Sequence, residues 1–126
     1  MQKTIKGEEL EIYISNAITL LSDTVKTTLG PNGTNVIING ANFSPYITND
    51  GATIAAAITS DNEIINTILT IIKEAALKTD SDVGDGTTTT ICLLESIYKN
   101  SIQNSKSKNN LLKLKEELEN TTVKII

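Results

Sequence analysis

The amino-acid sequence predicts a mainly α domain, a helical bundle that carries one small β-hairpin. Three observations lead there. Apolar residues recur at three- and four-residue spacing along most of the chain, the pattern of helices with one buried face. Residues 35–48 are instead rich in β-branched side chains around a turn pair, which reads as two short strands. Gly, Pro and Asn fall between the periodic segments, where they end elements rather than interrupt them.

The first helix is expected from Glu8 to Leu29, with Leu10, Ile14, Ala17, Ile18, Leu21 and Val25 on one face. Gly30 supplies a C-terminal cap and Pro31 blocks continuation. Asn32-Gly33 adds a second turn signal. Asn35-Val36-Ile37-Ile38 is then a compact strand, Asn39-Gly40 a favoured turn pair, and Pro45-Tyr46-Ile47-Thr48 the returning strand. Their separation predicts a hairpin loop longer than two residues. A short helix follows from Gly51 to Ile58, with Asp50 as its N-cap.

Ser60-Asp61-Asn62 makes a break and a fresh cap. In the next helix Ile64, Ile65, Ile68, Leu69, Ile71, Ile72, Ala75 and Ala76 cover more than one side, which predicts a central position. Thr79 to Gly86 reads as a loop rich in Asp and Gly. Thr87 to Gln103 is another helix, carrying Ile91, Leu94, Ile97, Tyr98 and Ile102. Asn104 to Asn110 is polar and marks a linker. A last helix starts near Asn109 or Asn110 and carries Leu111, Leu114 and Leu118.

Composition narrows the function classes. At 126 residues the chain suits one small domain, and 39% hydrophobic with 21% charged residues excludes a disordered composition. The net charge is -4 and every basic residue is lysine, which argues against nucleic-acid binding. With no arginine the chain cannot supply an arginine finger. One cysteine, Cys92, and no histidine exclude an internal disulfide, a Cys/His zinc site and a Ser-His-Asp triad. Cys92 is expected to be a buried small apolar residue. No run approaches the length of a membrane-spanning helix, and the start lacks the apolar stretch of a signal peptide.

The sharpest chemical signal is Val83-Gly84-Asp85-Gly86-Thr87-Thr88-Thr89, where a loop enters a helix. Free N–H groups and the helix dipole favour an anion there. Glycines let the backbone approach a ligand, threonine hydroxyls can donate to phosphate oxygens, and Asp85 could hold Mg²⁺. A purely structural alternative is an acidic turn followed by capping threonines. Against it, threonine is a middling helix former, so four in a row at a helix start are not a choice for stability. An EF-hand beginning at Asp80 would need Gly at Asp85 and Glu at Ile91, so it fails; Walker A and dinucleotide fingerprints are absent too. Thr48-Asn49-Asp50-Gly51 is a second signal, with Asp50 either a helix cap or a carboxylate facing a nucleotide. Thr28-Leu29-Gly30-Pro31 alone is a helix stop.

In this order the three segments resemble the chaperonin ATP domain. Leu29-Gly30-Pro31-Asn32-Gly33 with Asn35-Val36-Ile37, then Pro45 with Ile47-Thr48-Asn49-Asp50-Gly51, then Lys73-Glu74-Ala75 and Asp82 to Thr89 follow the family pattern without a gap from Thr24 to Thr89. Gly33-Thr34-Asn35-Val36 leans toward the GroEL-type, group I chaperonins. Two departures, Leu112-Lys113-Leu114-Lys115 in the last helix and Thr34 at an often basic position, mark a divergent member, with a virus among the expected sources.

The resemblance implies an equatorial-domain-like helical bundle that binds ATP, Mg²⁺ and K⁺. Thr28, Leu29, Gly30 and Pro31 would wrap the nucleotide, and Asp50 and Gly51 would lie beside the γ-phosphate. Asp85 would coordinate Mg²⁺, Gly86, Thr87, Thr88 and Thr89 would hold phosphate oxygens, and Thr28, Asn49 and Thr88 would sit near K⁺. Residues 1–126 would form only the N-terminal part of the equatorial domain. The apical and hinge domains, the C-terminal equatorial segment and the main catalytic base would lie outside the chain, leaving Asp50 a supporting catalytic role. The implied partners are like subunits in a ring and unfolded client proteins bound by the apical domain, with no nucleic acid and no membrane, in the cytoplasm of a bacterial or virus-infected cell. The competing expectation is a stand-alone chaperonin-like module for oligomerisation or regulation, without ATP turnover.

Overall fold

The computed structural model describes residues 4–104 and 108–126. The elements run in the order α1 (Glu8–Val25), a 3-10 turn (Lys26–Thr28), β1 (Val36–Gly40), β2 (Phe43–Thr48), α2 (Gly51–Ala57), α3 (Glu63–Val83), α4 (Thr87–Asn104) and α5 (Lys108–Ile125). This is the predicted mainly α fold with one antiparallel two-stranded sheet. Of the predicted linker from Asn104 to Asn110, Asn104 and residues 108–110 are helical, and residues 105–107 lie outside the described residues, as does the side chain of Leu111.

The chain divides into two compact units, residues 1–95 and 96–126. In the first, α1 packs on α3 and on α2. Ala17, Ile18, Leu21 and Val25 of α1 are buried, which is the predicted stripe at helical spacing. They meet a core of Ile54 and Ala55 from α2, Leu69, Ile72 and Ala76 from α3, Ile38 from β1 and Ile91 from α4. Leu21 and Leu69 are among its largest fully buried side chains, and truncating such a leucine typically costs about 2–5 kcal/mol. α3 buries one stripe rather than its whole circumference, since Ile71 is 63% exposed. In the second unit Ile97, Leu114 and Leu118 line a shallow, mainly apolar groove with Ser96, Asn100 and Ser101.

Three boundaries differ from the sequence expectation. α1 stops at Val25 rather than Leu29, because the hydroxyls of Thr27 and Thr28 donate to the carbonyls of Thr24 (2.8 Å) and Val25 (2.6 Å) and tighten the last turn. α3 runs on to Val83 through the segment read as a loop. The hairpin turn is Ala41-Asn42, two residues long, because Gly40 pairs with Phe43 inside the ladder. A Cβ on Gly40 would lie 2.4 Å from the exposed Phe43 ring, which would have to turn aside.

Candidate functional site

Three segments distant in sequence wall one open cleft of the first unit, with a volume of about 360 Å³, within the roughly 300–1,000 Å³ of small-molecule sites. Thr28, Leu29 and Gly30 form one wall. Asn49, Asp50, Gly51 and Ala52 form the second. Asp80 and the run from Gly84 to Thr89 form the third.

Local hydrogen bonds shape each wall. Behind the first, the Gly33 N–H donates to Gly30 O (3.0 Å) and the Thr34 N–H to Thr27 O (2.9 Å), folding the chain back on itself. At the second, Asp50 caps α2: its Oδ2 accepts from the Thr53 N–H at 2.8 Å and from the Thr53 hydroxyl. The Thr53 hydroxyl, then its amide, hold the Asp50 carboxyl below its usual range, against a smaller opposing effect of burial. At the third, α3 ends on Gly84, whose N–H donates to Asp80 O at 2.6 Å. Asp85 Oδ1 accepts from the Gly86 N–H at 2.6 Å. Gly86 has φ 96°, a conformation that a side chain strongly disfavours. α4 then begins, and the Thr90 N–H donates to Gly86 O at 2.9 Å.

The second and third walls touch. A Cβ on Gly51 would lie 2.0 Å from Thr88 Oγ1 and 3.3 Å from Thr88 Cβ. The start of α2 can therefore sit against the start of α4 only because residue 51 has no side chain. Beside that contact Thr87 is 4% exposed, and its hydroxyl has no hydrogen-bond partner among the described residues. A buried unpaired hydroxyl costs about 1–3 kcal/mol, so a stability argument alone does not account for it. The lining carries three aspartates, Asp50, Asp80 and Asp85, and no lysine. An anion entering it needs cations of its own. Among the described residues no three potential metal ligands of the Asp, Glu, Cys or His type gather into a cluster.

Of the residues singled out in the sequence, Thr28, Leu29, Gly30, Asn49, Asp50, Gly51, Asp85, Gly86, Thr87, Thr88 and Thr89 line this cleft; Pro31 does not. Ala52, Gly84 and Asp80 line it and were not among the expected site residues. Gly84 stands inside the quoted Gly-Asp-Gly motif, and Asp80 was reachable only by continuing α3 into a segment without apolar periodicity. Cys92 is half-buried rather than buried, and desolvation, followed by the charge of Glu95, pushes its thiol pKa up. No helix of the described residues is long and apolar enough to cross a membrane.

Residues 21–126 match the model of the TCP-1/cpn60 chaperonin family. The chain belongs to that family, and its fold is equatorial-domain-like. Among solved structures it is similar to the chaperonin gp146 from the bacteriophage EL 2 (Pseudomonas aeruginosa), determined in the presence of ATP-BeFx. One crystal form of gp146 is 35% identical, with TM-score 0.70 over 76% of this chain. Another is 37% identical, with TM-score 0.71 over 75%. The matches cover 18% and 17% of the phage protein, so this chain spans less than a fifth of its length. A viral chaperonin as structural neighbour agrees with the divergence expected from Thr34 and Leu112 to Lys115.

Proposed function

We propose that the cleft is the phosphate-gripping part of an ATP site and that the chain acts as the N-terminal segment of a chaperonin equatorial domain. The observation that carries this reading is the buried Thr87 hydroxyl, without a partner among the described residues, at the start of an 18-residue helix, in a cleft walled by three separate motif segments. A helix start offers N–H groups without intrahelical acceptors, and a phosphate oxygen would satisfy them and the hydroxyl together.

Gly86, Thr87, Thr88 and Thr89 would hold phosphate oxygens, with Thr28, Leu29 and Gly30 closing over the nucleotide. Asp85 would hold Mg²⁺, which takes one or two carboxylates plus substrate phosphates rather than a cage built by protein alone. Bound there, Mg²⁺ would neutralise phosphate charge that the lysine-free lining leaves unbalanced. Thr28, Asn49 and Thr88 would contribute oxygen ligands to K⁺. Asp50 and Gly51 would lie beside the terminal phosphate, with Asp50 supporting hydrolysis by a base outside this chain. In a complete subunit this site would drive a ring that folds client proteins in the cytoplasm.

Titration of Mg-ATP against the chain and its Asp85→Ala variant, read by thermal shift, tests the assignment. A ligand that binds only the folded state raises the unfolding temperature. The wild-type chain should shift and the variant should not. Equal shifts in both would remove Asp85 from the site, and no shift in either would count against a site that works within these residues.

A further inference from the structure

We propose that Lys73 is a positioning residue for the cleft, holding α2 from its far end so that Gly51 stays seated on Thr88. The inference rests on the nucleotide reading above for its functional consequence, though its structural half stands alone. α2 has seven residues. That is well short of the roughly 12–15 that an isolated helix needs to persist in water, so its direction is set by what grips its ends and its buried side. Ile54 and Ala55 anchor the side in the core. Asp50 satisfies the N-terminal end through the Thr53 N–H. At the C-terminal end the Lys73 ammonium, reaching across from α3, donates to Ala56 O at 3.1 Å and to Ile58 O.

Those carbonyls lie where a helix runs out of its own donors, and a cation there also offsets the negative end of the helix dipole. The ammonium is part-buried, and desolvation pushes its pKa below the usual lysine value. Burying a charge against neutral carbonyls is a costly way to hold two helices together, since an apolar contact would do it without desolvation. What the carbonyl bonds add is direction: they fix where α2 ends and therefore where it begins. Its beginning has little tolerance, because a single methyl group at Gly51 would collide with Thr88.

The test compares the chain with Lys73→Met, which keeps the apolar stem, and Lys73→Arg, which keeps a charged donor. Backbone hydrogen exchange across Gly51–Ala57, the Gly51–Thr88 proximity by NMR, the unfolding temperature and the Mg-ATP dissociation constant are measured for each. In Lys73→Met the α2 amides should exchange about ten-fold faster, the Gly51–Thr88 contact should weaken, and Mg-ATP should bind about ten-fold more weakly. In Lys73→Arg much of each should return. A folded Lys73→Met with unchanged α2 protection and an intact Gly51–Thr88 contact overturns the proposal. So does a drop in unfolding temperature that leaves the Mg-ATP constant of a binding-competent chain untouched. If Lys73→Met does not fold, Lys73→Arg decides: α2 protection and Mg-ATP affinity near wild type support the proposal, and loss of either despite a folded core overturns it. If the wild-type chain does not bind Mg-ATP, the nucleotide reading fails by itself, and the exchange and NMR comparison still decides whether Lys73 places α2.

Discussion

α3 and α4 begin in opposite ways. α3 starts closed: Asn62 Oδ1 accepts from the N–H groups of Ile64 (2.9 Å) and Ile65 (3.1 Å), and Asn66 ties back to Ser60 through both its amide atoms. Every one of those bonds is internal, as expected of a helix start selected for stability. α4 starts with four threonines in succession after a left-handed glycine, and the first of them buries a hydroxyl that nothing among the described residues satisfies. The difference separates a cap from the proposed cradle. A cap answers its own N–H groups, whereas a cradle would leave donors for something that arrives later.

The comparison breaks most visibly at Gly51. Gly51→Ala places a methyl group against Thr88 Oγ1, and Thr88, being β-branched, has few other rotamers to adopt. Overpacking of this kind costs about 1–3 kcal/mol. The variant should melt at lower temperature and lose more than about ten-fold in Mg-ATP affinity, since the displaced hydroxyl belongs to the proposed cradle. Unaltered affinity, measured by calorimetry, would detach α2 from the ligand site.

Thr87→Val sharpens the comparison because its two expected effects have opposite signs. Valine keeps the shape and removes the unpaired hydroxyl, so the unliganded chain should gain up to about 1–3 kcal/mol. Mg-ATP should at the same time bind about ten-fold more weakly. Asn62→Ala at the closed helix start is the control: it should cost about 1 kcal/mol and leave nucleotide affinity alone. Denaturant melts with and without Mg-ATP read both quantities. A Thr87→Val chain that loses stability without nucleotide would mean that the hydroxyl is satisfied within the protein.

The same contrast explains what could be read from the sequence. The closed elements were legible: the α1 stripe from Ala17 to Val25, the Asp50 cap and the break at Asn62 each follow from local rules about faces and ends. The motif segments were legible as chemistry, and their meeting in one cleft was an expectation drawn from family resemblance, not from spacing. What escaped was decided by long-range packing. The last turns of α3, from Thr79 to Val83, carry almost no apolar residues because Asp80 faces the cleft lining rather than the core, so periodicity had nothing to report. Gly40 looked like a turn residue, yet it pairs with Phe43 inside the ladder, which no local rule reveals. Lys73 was legible only as part of a family-like run; its grip on α2 depends on a helix crossing that spacing alone does not encode.

The smallest expected effect lies in acid and concerns whether Asp50 is a cap, a ligand-facing charge or both. Its carboxyl is held below the ordinary value of 3.8 by Thr53, so the folded state binds this proton less readily than the unfolded chain does. The sign follows: the contribution to stability is present above the unfolded value and is lost as pH falls through the lower folded one. Asp50 is exposed, so solvent screening keeps the effect modest. Asp50→Asn should preserve the cap, because asparagine caps as well as aspartate, while flattening the fall in unfolding temperature between about pH 5 and pH 2. At neutral pH the variant should melt within a few degrees of wild type, so any loss of Mg-ATP affinity there would report the charge and not the cap. Unchanged affinity together with a flattened acid limb would make Asp50 a cap alone and place the supporting carboxylate elsewhere.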